Sequence, residues 1–457
     1  MKRTAVINVV GLTKSLIGAH TPHIRDFVAR GSIQSIRPAF PAVTCTAQSN
    51  YLTGQEPEQH GIVGNGWYDR EYAEHRFWKQ SNHIVRQPKI WDALKEMDAS
   101  FTCAKLFWWY NMYASVDYSI TPRPMYPADG KKVFDVYTQP MGLRETIKGD
   151  LGEFPFPFFW GPMAGIKSSE WIAQSAEWME AKHSPTLNLV YLPHLDYNLQ
   201  RVGPNDPAIN EDLKAIDTVV GRLIQYFEQR DVQVVLLSEY GITEVSRPVH
   251  LNRVFRKQGW IQIKDELGLE QIDCGASQAF AIADHQVAHI YINNPSIKDE
   301  VKKTLAATDG VEHVLDKEEK RAQGIDHERA GDLIAVADKD SWFTYYYWED
   351  DAVAPDFARC VDIHRKIGYD PVELFFDPAI RFPKLRVARR LLQKKLGMRM
   401  LLDVIPLDAS LVKGSHGRRP EDKADWPVFI GPKVATEDEE LESADVYARL
   451  IECVQGT

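Results

Sequence analysis

Thr44 stands in the stretch "PAFPAVTCTAQSNYLTG", where Pro38 and Pro41 break the chain just ahead of a helix-forming run. A hydroxyl at a helix start can be an ordinary cap, or a nucleophile beside free backbone N–H groups of the kind phosphate chemistry uses. Other positions offer donors of metal type. Asp196 and Gln200 lie four apart in "YLPHLDYNLQRVGP", Glu239 follows "VQVVLLS", and His416 sits between the glycines of "GSHGRR". Taken singly, each reads as a cap, an ion pair or a satisfied polar group. Taken with Thr44, two carboxylates and an imidazole outline a site.

More donors stand further along. "IADHQVAHIYI" supplies Asp284, His285 and His289, and "VDIHRKIGYD" supplies Asp362 and His364. In a strand, His285 and His289 share one face, as a metal pair or as partners for an oxyanion. The alternative is local hydrogen bonding inside an inserted segment. Cys45 is intrinsically the stronger nucleophile beside Thr44, but no paired histidine is evident.

The elements that must position these residues are strands and helices in alternation. "AVINVV", "TLNLVYL" and "VQVVLLS" read as buried strands. Between the last two, "AINEDLKAIDTVVGRLIQYFEQR" places Leu213, Ile216, Val220, Leu223 and Phe227 on one helical face. Strand, helix and strand make a βαβ unit, so the fold class expected is α/β, doubly wound, with a mostly parallel sheet. Such sheets gather function at the carboxyl ends of their strands, after Val10, Leu192 and Leu237 here. The expected organisation is a core over 1–241, an inserted α+β cap over 242–330, and a return to the core over 331–457. "GDLIAVA" is read as a strand of that return, and 343–412 as a basic helical insertion.

The chain has 457 residues, a net charge of −10 and an ordinary globular composition. The acidity argues against a nucleic-acid polymer as partner. Five scattered cysteines without paired spacing read as reduced thiols. With no signal-peptide pattern at the start, the expected location is cytoplasmic. "RFPKLRVARRLLQKKLGMRM" stands apart, with eight Lys/Arg and no acid. It reads as an amphipathic helix, either a solvated face packed on the body or a weak contact with an anionic membrane surface or acidic partner.

The motifs occur in a recognisable order. "FPAVTCTAQSNYLTGQEPEQHGIVGNGWYD" is followed by "KIWDAL", "YLPHLDYNLQRVGP", "LLSEYGI", "GDLIAVADKDSW" and "GSHG". In this the chain resembles the type I phosphodiesterase/nucleotide pyrophosphatase family of the alkaline phosphatase superfamily. The resemblance implies Thr44 as nucleophile, with a phosphothreonine intermediate, and Asn65 as the amide holding phosphoryl oxygens. It implies Asp196 and His416 as ligands of a first metal.

The pattern departs at other ligand positions. Val10 stands where Asp is expected, Gln200 where His is, and Glu239-Tyr240 where Asp-His is. The expectation is therefore a metal-dependent hydrolase of phosphodiesters or nucleotide pyrophosphates with a small phosphate-ester substrate. Its cofactor would be a divalent ion of zinc type, one rather than two, or none, held by Asp196, Glu239 and His416. Gln200, Asp362, His364 and His285 are further ligand candidates. The alternatives are a binding or scaffold protein that kept the fold without the metals, or a transferase, sulfate-ester or phosphonate hydrolase on the same fold. The oligomeric state is open.

Overall fold

The computed structural model describes residues 1–129, 132–398, 400–433 and 440–456. A nine-stranded sheet forms the centre. Its parallel heart runs Gln233–Leu237, Thr4–Val9, Leu187–Leu192, Cys103–Leu106 and Tyr118–Pro122. Val136–Gln139 closes one side antiparallel; Val428–Gly431, Ser32–Arg37 and Leu441–Glu442 continue the other. Thr4–Val9 is buried throughout, as a mostly apolar strand covered on both faces must be. The helix Ile209–Glu228 buries Leu213, Ile216, Val220, Leu223 and Phe227 against this sheet, the face its periodicity predicts. The architecture is the doubly wound α/β type.

Register brings the candidate site to one sheet edge. Val9 pairs with Leu192 and Asn8 with Leu237, so the three strands end level. Val10, the helix His194–Val202 carrying Asp196 and Gln200, and Glu239 all follow those ends. The helix Thr44–Thr53 begins beside them.

A second, four-stranded antiparallel sheet runs Ala279–Asp284, Val287–Ile292, Leu333–Ala337, Val311–Leu315. The strand "GDLIAVA", expected to rejoin the core sheet, lies here instead. Its all-apolar pattern marks burial without saying which sheet it completes. A two-residue turn joins the first two strands, and its first residue, His285, has φ +62°. His285 is therefore a turn residue and shares no strand face with His289, contrary to the sequence expectation.

The segment after the second sheet folds around an aromatic core of Trp342, Tyr345, Tyr346, Tyr347 and Trp348. The basic stretch forms the helix Pro383–Lys395; its Arg399 lies outside the described residues.

Candidate functional site

Thr44 is the first residue of its helix, and Val43 ahead of it is the extended cap position. The hydroxyl caps nothing. It lies 3.2 Å from the Tyr240 hydroxyl, which in turn donates to Asp196 Oδ1 at 3.1 Å. The next helical N–H, that of Cys45, donates to Asn65 Oδ1 at 3.1 Å. Thr44 is only 4% exposed and Asn65 1%.

Four rings fill the middle of the site. Tyr240 stacks on His416 with centroids 3.7 Å apart and planes 6° from parallel. His416 meets His285 at 3.7 Å, and His285 meets Tyr369 at 3.7 Å. The stack is tied together at its base. Gln200 Nε2 donates to Asp196 Oδ2 at 2.8 Å, and the Tyr369 hydroxyl donates to Gln200 Oε1 at 3.1 Å. Asp196 thus accepts from Tyr240 and Gln200, while both tyrosine hydroxyls bond to the helix His194–Val202.

Close backbone approaches place these side chains. At Gly414 a Cβ would come within 2.0 Å of the Leu199 carbonyl oxygen, which leaves only glycine at the loop that carries His416. At Gly368 it would meet the Ala283 carbonyl oxygen at 2.7 Å. The N–H of the neighbouring Tyr369 donates to that same carbonyl, which sets the ring beside His285.

The electrostatics follow from burial. The Asp196 carboxyl is pushed up to about 7 by desolvation, against the pull of its Tyr240 and Gln200 donors. Desolvation takes Glu239 to about 8, although Gln48 Nε2 and Asn8 Nδ2 each donate to its Oε1 at 2.5 Å. His285 and His416 lie well below the ordinary imidazole value, first through burial and for His416 also through His285. Neutral His416 donates from Nδ1 to the Ala42 carbonyl at 2.7 Å, which leaves Nε2 unprotonated, 3.9 Å from Asp196 Oδ1.

Asn65 is bound twice over. Its N–H donates to Asp284 Oδ2 at 2.7 Å and its side-chain amide donates to Oδ1 at 3.0 Å. The amide that the resemblance assigns to phosphoryl oxygens faces a carboxylate. His289 stands apart, with Nε2 on the Val63 carbonyl at 2.9 Å and Nδ1 accepting from the Gly331 N–H. Asp362 and His364 also stand apart from the stack. The Asp362 N–H donates to Glu373, and His364 Nδ1 lies 3.2 Å from the Phe77 carbonyl. Cys45 is fully buried, and burial raises its thiol well above the ordinary value, which disfavours the thiolate that a nucleophile needs.

These contacts test the expected metal. Asp196 is held by a phenol and an amide, Gln200 is oriented by Asp196 and Tyr369, and His416 is sandwiched between rings. Glu239 receives two amides, although its Oε2 and His285 Nε2 lack a hydrogen-bond partner. Among the described residues, no three His, Cys, Asp or Glu side chains are grouped so as to hold a metal ion. The residues do not fit the group. The expectation of a divalent ion held by Asp196, Glu239 and His416, with Gln200, Asp362, His364 or His285 in support, is overturned. With it goes the reading of the chain as a metal-dependent phosphoesterase. The physical reason is the set of departures: phenol and amide side chains at ligand positions bond to the remaining carboxylate instead of leaving its lone pairs for a cation.

Tyr369, Asn8 and Gln48 belong to the cluster and were not singled out from sequence. Asn8 carried a signal, as the one amide inside the apolar run "AVINVV". Gln48 lies one turn after Thr44 on the same helix. Tyr369 comes from a distant loop and carried none.

The comparisons agree with this architecture. The model of the type I phosphodiesterase/nucleotide pyrophosphatase family matches residues 4–370. An uncharacterized pyrophosphatase/phosphodiesterase of Schizosaccharomyces pombe is 23% identical over 245 residues, covering 51% of this chain and 44% of that protein. Human bis(5'-adenosyl)-triphosphatase ENPP4 is 22% identical over 238 residues, covering 50% and 45%. The matched stretch thus spans less than half of these relatives' length. Murine ectonucleotide pyrophosphatase/phosphodiesterase 5 superposes with a TM-score of 0.60 at 17% identity, covering 100% of this chain and 95% of that one. Phosphonoacetate hydrolase of Sinorhizobium meliloti 1021 gives 0.63 at 13% identity, covering 99% and 96%. The chain belongs to the type I phosphodiesterase/nucleotide pyrophosphatase family.

Proposed function

We propose that this chain is a binding or scaffolding member of its family, one that keeps the fold and does without metal-dependent phosphoester cleavage. The observation that carries the reading is the Tyr240–His416–His285–Tyr369 stack, tied to Asp196 and Gln200. It binds the donors of the site to one another.

The chemistry of Thr44 supports the same reading. A threonine hydroxyl is a poor nucleophile near neutral pH and needs a base or a cation to activate it. Its neighbours here are the Tyr240 phenol, whose own proton goes to Asp196, and the Glu239 carboxyl, which burial keeps protonated up to about 8. A phosphoryl group at Thr44 would meet Asp196, Glu239 and Asp284, carboxyls whose burial favours the protonated form, and two neutral imidazoles, none of which supplies the positive charge that would balance it.

The test is turnover of bis(p-nitrophenyl) phosphate and a dinucleotide, with zinc, manganese or magnesium added, by the wild type and Thr44→Ala. The expected result is the same background rate in both, with or without metal. Metal-stimulated turnover that disappears in Thr44→Ala would overturn the proposal. Small phosphate esters, the ligand class of the family, are the first compounds to titrate for binding without turnover.

A further inference from the structure

The helix Pro383–Lys395 is turned opposite to an ordinary surface helix. Two of its three guanidinium groups face the protein, where Arg386 and Arg390 both pair with the Asp403 carboxylate. Its leucines face outward, with Leu385, Leu392 and Leu396 exposed by 68%, 56% and 67%. At 3.6 residues per turn these three fall on one stripe. Lys384 and Lys395 border one edge of it and Arg389 the other. Phe382 at the helix entry and Met398 beyond its end extend the apolar surface. Of the apolar residues on the helix, Val387 is the one packed against the aromatic core.

Charge says what covers this face. Residues 381–398 carry seven Lys/Arg and no acid, in a chain of net charge −10. Among the described residues, Lys384, Arg389, Lys394 and Lys395 have no ion-pair partner. An apolar stripe with cations along both edges matches the boundary between lipid headgroups and acyl chains. There the leucines enter the apolar layer while the Lys and Arg stems reach up to phosphate. No helix among the described residues is long and apolar enough to cross a membrane, so the contact is in the plane of the surface.

We propose that the helix Pro383–Lys395 docks this protein on an anionic lipid bilayer, with Leu385, Leu392 and Leu396 inserted and Lys384, Arg389 and Lys395 on the headgroups. The site around Thr44 has no part in this, so the two readings stand or fall separately.

Flotation of the full chain with phosphatidylcholine vesicles, alone or mixed with phosphatidylserine, tests it. The expected result is binding to the mixed vesicles only, released by raised salt. Two variants, Lys384→Glu/Arg389→Glu/Lys395→Glu and Leu385→Gln/Leu392→Gln/Leu396→Gln, should each weaken binding by roughly tenfold or more. All six side chains are exposed, so both variants keep the wild-type melting temperature. Equal binding to neutral vesicles, no binding to either, or binding that the variants leave unchanged would overturn the proposal. Capture by polyglutamate without vesicle binding would overturn it in favour of an acidic protein partner. A leucine-dependent dimer without vesicle binding would overturn it in favour of a second copy.

Discussion

Tyr240 and His416 lie face to face, their centroids 3.7 Å apart and their planes 6° from parallel. Tyr240 follows the sheet strand Gln233–Leu237, while His416 comes from a loop more than 170 residues later. The Tyr240 hydroxyl bonds both Thr44 and Asp196, and His416 Nδ1 bonds the Ala42 carbonyl. One contact therefore joins the nucleophile position, two ligand positions and the sheet edge into a packed unit.

Stability should depend on that unit. Tyr240→Ala removes a buried ring, leaves Asp196 short of a donor and opens a cavity beside Thr44. We expect a loss of about 3 kcal/mol or more, read from urea unfolding. Tyr240→Phe keeps the ring and should cost about 1 kcal/mol. Equal costs for the two would mean that the stack contributes little.

Thr44 and Asn65 should separate. Thr44→Ala removes the 3.2 Å contact with Tyr240 and further polar contacts with Glu239 and Tyr191, and should change stability by about 1 kcal/mol. Asn65→Ala takes a donor from buried Asp284 and the acceptor from the Cys45 N–H, and should cost about 2 kcal/mol or more. The reverse order in melting temperature would contradict this assignment of contacts.

The Asp196 and Glu239 carboxyls should each take stability away as pH rises. Asp196 at about 7 and Glu239 at about 8 hold their protons more tightly folded than unfolded. That contribution is complete below the unfolded carboxyl value of about 4 and is lost as pH rises through the folded values. His289 at about 4 acts in the opposite sense. Its contribution is present above the unfolded imidazole value and is lost as pH falls through about 4. Between pH 6.5 and 9 buried Lys105, lowered to about 7, opposes the carboxyls, because there the unfolded chain binds the extra proton, so the Glu239 share is read as a difference from Glu239→Gln. Glu239→Gln should make the slope of melting temperature against pH more positive than in the wild type over that range. An unchanged slope would remove Glu239 as a contributor.

Much of the frame was legible in the sequence because it rests on local patterns. Apolar runs such as "AVINVV" and the stripe from Leu213 to Phe227 specify strand and helix by periodicity, and the sheet edge follows from their alternation. Thr44 at a helix start and His416 between glycines could be read in the same way. The stack could not. His285 reaches it from a hairpin turn, and Tyr369 reaches it through the contact of Gly368 with Ala283, a long-range approach that no spacing encodes. The metal expectation failed for a related reason. Carboxylate and imidazole at strand ends look alike whether their lone pairs face a cation or a neighbouring phenol.

Returning the departed positions to the family pattern should bring a metal back. The variant Val10→Asp/Gln200→His/Glu239→Asp/Tyr240→His removes one ring of the stack and restores four ligand types at the sheet edge. Zinc uptake at one ion or more per folded chain is the expected outcome, read by plasma mass spectrometry after gel filtration. A folded variant without zinc would show that these four positions are not what keeps this chain from holding a metal.

The most direct measurement is zinc binding by the unmodified chain, as metal content of untagged protein purified without chelator and then by calorimetric titration. The account predicts no stoichiometric metal as purified and no saturable heat on titration, because Asp196, Gln200, His416 and Tyr240 bond to one another. One or more tightly bound ions per chain, lost in His416→Ala, would contradict it.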